Sequence, residues 1–176
     1  MKSNLFLMPI ALAILSCSGI RVINSEANQG FNLSNYKTFD FYELEASGDT
    51  AANFSTNVEL LKKEIEKQLA LKGLSRSDAN AGLRVNIGIV VQEKIQTRET
   101  TLRDAPRYMG QRNYSWKSEE IEVARYKEGT VTVHLVDPKN STLMWKGAVE
   151  SVVPSNKSKI PSAIQDGMEK LFSKLM

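Results

Sequence analysis

Reactive side chains are scarce in this chain of 176 residues, which holds a single histidine, His134, and a single cysteine, Cys17. Nucleophilic catalysis needs a Ser, Thr or Cys beside a base and an acid that orients the base. His134 and Asp137 could supply base and acid, but no nucleophile-elbow sequence stands near them. Between Val133 and Leu135, His134 is expected on the polar face of a strand as a surface histidine, and no catalytic residue is assigned. Neither a second histidine nor a spaced carboxylate pair accompanies it, so no metal site is expected. Glu119, Glu120 and Glu122 read as a solvated strand edge, and no glycine-rich phosphate loop is present, so no cofactor is expected either. With one cysteine, the chain can form no internal disulfide.

The most distinctive stretch is Arg98–Lys117, where Arg98, Arg103, Arg107, Arg112 and Lys117 outnumber Glu99 and Asp104, a local charge of +3. Tyr108, Met109, Tyr114 and Trp116 are interleaved with them. Arginine beside aromatic rings can recognise planar or anionic groups, including lipid head groups and glycan acids. Arg103, Arg107, Tyr108, Arg112, Tyr114 and Trp116 are therefore the candidate binding residues. The competing reading is a long solvated loop whose aromatics pack on a sheet, and the residues alone leave both open. Nucleic acid is not an expected partner. The chain carries +3 overall and +2 without residues 1–16, whose only charge is Lys2, and a phosphate lattice calls for a denser basic surface.

Periodicity supplies the elements that would position these groups. Tyr36–Tyr42 is aromatic and β-branched with Phe39 and Phe41 on one face, which predicts a strand. Val58, Leu61, Ile65 and Leu69 recur at helical spacing, and Lys72-Gly73 supplies a stop signal, so residues 54–72 are an amphipathic helix. Leu83, Val85, Ile87, Ile89 and Val91 alternate with Arg84, Asn86 and Gly88, the signature of a strand covered on one face. An irregular stretch from Thr97 to Ser115 follows. Trp116–Ala124 is then expected to pair with Thr130–Asp137 across a hairpin turn at Tyr126-Lys127-Glu128-Gly129. After a turn at Asp137-Pro138-Lys139-Asn140, Leu143–Val153 completes a meander. A last helix from Ile160 to Leu175 buries Ile160, Ile164, Met168, Leu171 and Leu175, with Pro161 in its first turn.

This order predicts an α+β fold: a two-layer sandwich of a mainly antiparallel sheet, about four to six strands, with two helices on one face. At 41% hydrophobic and 24% charged residues the composition suits one globular domain.

The first residues have signal-peptide anatomy: Met1-Lys2, an apolar run from Leu5 to Leu15, and the small Ser16 before Cys17. As a helix that run spans only about 16 Å, half of a bilayer's hydrocarbon core. Ile14-Leu15-Ser16-Cys17 resembles the bacterial lipobox, which implies cleavage between Ser16 and Cys17 and acylation of Cys17. Several acyl chains on one residue make a durable anchor. Ser18, in place of the aspartate that signals inner-membrane retention, implies outer-membrane delivery. No acidic cluster of the kind that marks surface export follows, which implies the periplasmic face. The expected division is a lipoprotein signal peptide at 1–16, a lipidated cysteine and tether at 17–30, and a domain at 31–176. Within the tether, Ile20, Val22 and Ile23 could start an edge strand.

Five further motifs carry a resemblance to a family: Tyr36-Lys37-Thr38-Phe39, Lys72-Gly73-Leu74, Tyr126 with Glu128-Gly129-Thr130, Leu135-Val136-Asp137, and Leu143-Met144-Trp145-Lys146-Gly147. The chain resembles the DUF4136 domain of bacterial lipoproteins, a family of unknown function. Gly82 stands where that pattern often has an aspartate, and the stretch from Arg103 to Arg112 has no counterpart in it. The resemblance implies a lipid anchor and a domain with no assigned enzyme activity, and it brings no catalytic residues. The functional expectation is a lipid-anchored, periplasm-facing envelope lipoprotein of the outer membrane with a non-catalytic binding or assembly role. Its expected partners are the membrane, through the N-terminal lipid, and an envelope protein, glycan or anionic lipid. The alternative is a small periplasmic hydrolase using His134.

Overall fold

The computed structural model describes residues 19–48, 54–101, 104 and 117–175. Its strands are β1 (Arg21–Ala27), β2 (Thr38–Gly48), β3 (Ser75–Arg76), β4 (Leu83–Glu99), β5 (Glu120–Asp137) and β6 (Thr142–Val152), and its helices are α1 (Phe54–Leu71) and α2 (Ile160–Phe172). The strands form one sheet in the order β1-β6-β5-β4-β2-β3. From β4 through β5 and β6 to β1 every pairing is antiparallel. β2 is parallel to β4, because the chain between them returns along α1 and so re-enters the sheet in the same direction. The architecture is the expected α+β arrangement, with a parallel pair at one side.

Alternation in β4 decides which face is buried. Leu83, Val85 and Ile87 are buried, as are Val133 and Leu135 of β5 and Trp145 and Val149 of β6. Against them α1 places Leu61, Ile65 and Leu69, and α2 places Met168, Leu171 and Phe172. The helix boundaries follow from local chemistry. Gly73 takes φ +87°, and the Leu74 and Gly73 N–H groups donate to the Leu69 and Ala70 carbonyls at 3.1 and 2.9 Å, a Schellman closure that also buries Leu74. Lys72, just before Gly73, donates to the Leu175 carbonyl at 2.5 Å, tying the two helix ends together.

Two expectations are corrected. No hairpin turn occurs at Tyr126–Gly129, and the strand expected over Trp116–Ala124 is not separate where it is described: Glu120–Asp137 is one continuous strand. Lys127, Glu128 and Gly129 pair with Glu93, Gln92 and Val91 of β4, so the residues read as a turn are held in a ladder. Gly129 serves close packing instead, since a Cβ there would lie 3.2 Å from a Val153 methyl. Likewise the irregular stretch does not begin at Thr97, because β4 continues to Glu99. The meander is therefore β4, β5 and β6, joined first by residues 100–119. Within the stretch read as a tether, residues 21–27 form the edge strand that the Ile20, Val22 and Ile23 pattern allowed.

Among the described residues, Glu93–Glu99 and Glu120–Tyr126 pair as strands only with each other. At about 3.3 Å per residue this two-stranded ribbon reaches roughly 23 Å past the sheet.

Trp145 exposes a prediction about β6. A Cβ on Gly147 would stand 2.3 Å from its indole Cη2 and 2.8 Å from a Leu171 methyl, and neither buried side chain has room to move. Gly147→Ala is expected to lower stability by about 1–3 kcal/mol in urea denaturation, the range of overpacked cores, although glycine to alanine in a strand otherwise tends to stabilise.

Candidate functional site

The lipidation and cleavage residues Ser16 and Cys17 lie outside the described residues. So do Arg103, Arg107, Tyr108, Arg112, Tyr114 and Trp116 of the candidate binding loop. The described residues do show how both ends of that loop are held. Arg98 grips Asp104 in a two-pronged ion pair of 2.8 and 2.7 Å, and Asp104 also accepts from the Thr101 N–H at 2.8 Å. The Arg98 guanidinium, helped by that backbone donor, holds the Asp104 carboxyl far below the usual carboxylate range. Thr100 closes the other side: its N–H donates to the Glu119 carbonyl at 2.8 Å, and its hydroxyl oxygen accepts from the Glu119 N–H at 2.9 Å. The loop thus leaves the ribbon from a fixed, charged clasp.

The ribbon carries exposed ion pairs: Lys94 with Glu128 across the two strands at 3.5 Å, and Arg125 with Glu122 along β5 at 2.9 Å. The Arg125 guanidinium lowers the Glu122 pKa. Ile95, Ile121 and Val123 stand exposed among them.

His134 lies on the sheet face away from the helices, in the row Glu43, Asn86, His134, Lys146, Glu26 that runs from β2 to β1. A bulge between Phe41 and Glu43 makes this row, because it turns Leu44 and Ala46 to the helix side and Glu43 and Glu45 to the open side. With Gly88 contributing no side chain, Glu43, Glu45, Asn86, Thr132 and His134 line a hollow of about 330 Å³. The Asn86 side-chain oxygen is buried there without a hydrogen-bond partner. At the row's far end Lys146 bonds Glu26 at 2.9 Å and, with the Asn24 amide, lowers its pKa.

This hollow can accept hydrogen bonds through Glu43, Glu45 and Asn86. Among the described residues no hydrogen bond joins His134 to Thr132, Glu43 or Glu45. Asp137 is committed to the β5–β6 turn, accepting from the Lys139 N–H at 2.9 Å and the Tyr36 hydroxyl at 3.3 Å. Burial, then the Asp137 charge, raises the Tyr36 pKa. Nor do the described residues group three His, Cys, Asp or Glu around a metal-sized space. Sequence reasoning placed His134 correctly on the polar face and missed its two glutamates. The signal was the change in spacing from Phe39 and Phe41 to Leu44 and Ala46. His134→Ala is expected to change stability by no more than about 0.5 kcal/mol in urea denaturation; a larger loss would give the ring a structural role that its contacts do not show.

By sequence, no curated protein matches this chain. In fold, the chain is similar to the PelC dodecamer subunit from Paraburkholderia phytofirmans, at 13% identity and a TM-score of 0.49, covering 89% of this chain and 96% of that one. A PDZ domain protein from Parabacteroides distasonis is similar at 15% identity and a TM-score of 0.47; the match covers 88% of this chain, which spans only 34% of that protein. A minor lipoprotein from Acinetobacter baumannii matches at 11% identity and a TM-score of 0.28, over 80% of this chain and 93% of the other. At these values none of the three carries an argument about activity or assembly. The family model for DUF4136, a domain of unknown function, matches residues 23–175, nearly every strand and helix described above, and the chain belongs to that family.

Proposed function

We propose that this chain is a lipid-anchored envelope lipoprotein, held on the periplasmic face of the outer membrane by Cys17, whose ribbon and loop bind an envelope partner without catalysis. The observation that supports it is the direction of the strands. β1 runs antiparallel to β6, β6 to β5, and β5 starts at the ribbon tip, so β1 starts at the ribbon end of the sheet. The anchor and the ribbon therefore leave the same end of the domain.

Cys17 stands four residues before Arg21, a link of at most about 14 Å. The ribbon's reach of roughly 23 Å exceeds that link, so anchoring Cys17 would hold the ribbon along the head-group layer. Its basic, aromatic loop, within residues 100–119, then meets anionic head groups and glycans. No described helix is long and apolar enough to cross a membrane, so anchoring by these residues would depend on the lipid. The hydrolase alternative gains nothing from the geometry around His134.

Replacing Cys17 with Ala should release the protein to the soluble fraction or leave an uncleaved precursor, and mass spectrometry should find acyl chains on the wild type only. Wild-type fractionation by the variant, with no acyl chains on either, would end the anchor reading. For the loop, the chain from Ser18 should sediment with anionic liposomes or peptidoglycan at low salt and release at high salt, because exposed charges are screened within about 10 Å at 0.1 M. An Arg103, Arg107 and Arg112 triple alanine variant should lose most of that binding. Equal binding by both proteins, or none by either, would return the loop to a structural role.

A further inference from the structure

Between the N-terminal turns of α1 and α2 and the ribbon end of the sheet lies a cavity of about 170 Å³. Val58 and Leu61 of α1, Ile164 and Gly167 of α2, and Val131 and Val149 of the sheet form its walls. Among the described residues, only Asn57 and Ser151 bring polar side chains, and none that lines it is charged. Enclosed apolar cavities of roughly 150 Å³ take up hydrocarbon ligands; this one is similar in size and lining but open to the surface, which gives a ligand a way in.

Gly167 shows that the space is not a packing accident of bulky neighbours. It is buried inside α2, where glycine is less favourable than alanine, yet a Cβ there would meet nothing within 4 Å. The helix forgoes a side chain that would both fit and stabilise it, and the cavity is what that omission leaves open.

The start of β1 indicates what fills it. Ile20 is buried against the core, and the pairing of Arg21 with Glu150 brings Ile20 level with Ser151 in the cavity wall. Cys17 is three residues upstream, at most about 11 Å of chain from Ile20. We propose that the cavity holds one acyl chain of the lipid carried by Cys17, an inference that rests on the anchor reading above. The remaining acyl chains enter the bilayer, and the domain is docked against its own anchor instead of swinging from it.

The test compares the acylated protein, purified from membranes in detergent, with the chain from Ser18, which keeps every core residue from Ile20 to Leu175. Amide hydrogen exchange over residues 58–61 and 163–168 should be at least tenfold slower in the acylated protein. Adding decanoic acid to the chain from Ser18 should restore part of the protection. Gly167→Phe should abolish the difference by filling the cavity, whereas Gly167→Ala, which adds one methyl, should keep it and raise the melting temperature. Equal exchange in the two wild-type forms, with acyl chains on Cys17 confirmed by mass spectrometry, overturns the cavity proposal and leaves the anchor standing. Absence of acyl chains on Cys17 overturns both.

Discussion

The indole of Trp145 lies where a side chain of residue 147 would otherwise be, and the seating of both helices depends on that close approach. Its ring meets Phe172 at a centroid distance of 5.8 Å, and Leu171 reaches the same glycine, so α2 is set at its depth by a strand with no side chain at one position. α2 in turn fixes α1, through the Lys72 bond to the Leu175 carbonyl and the Lys67 to Glu169 ion pair at 3.8 Å. Because the helices are locked together at their C-terminal ends, the space between them opens toward their N-terminal ends, beside the ribbon.

β4 and β5 belong to two different physical regimes along their length. Inside the sheet each has two neighbours and one covered face, so burial holds it in register. Past Val91 and Lys127 they are a two-stranded ribbon in water, which on its own is marginal. What keeps them paired there is the backbone ladder itself, helped by the exposed Lys94–Glu128 pair across it, an interaction that salt weakens. A surface that must adapt to a partner is drawn from this low-stability end, while the buried half supplies the rigidity behind it.

The periodic elements were legible because one-sided burial writes itself into spacing: α1, the first half of β4 and α2 followed their apolar stripes, and β6 did so from Trp145 on, while Leu143, expected on the same face, pairs with Val136 across a register shift and stands exposed. Two features were not. Glu128-Gly129 has the composition of a turn, and only the approach of Val153 explains a glycine in mid-strand. The bulge after Phe41 leaves a weak trace, one apolar interval of three in place of two, and it decides which acids stand beside His134. Of the candidate site, the charge and aromatic content of residues 98–117 could be read directly. The ribbon that carries them could not, because strands exposed on both faces have no one-sided apolar period to report.

The pairing of Arg21 with Glu150 joins residues 129 positions apart, and it gives the fold a temporal order. A chain that emerges from its N-terminus can assemble β2, α1 and the β4–β5 ladder as they appear, but β1 has no neighbour until β6 exists. The first strand to be made is thus the last to be placed, waiting through nearly the whole of synthesis as an unpaired edge. Closing such a long loop is the slow step expected of this topology, so the segment that follows Cys17 can join the sheet only once β6 is in place.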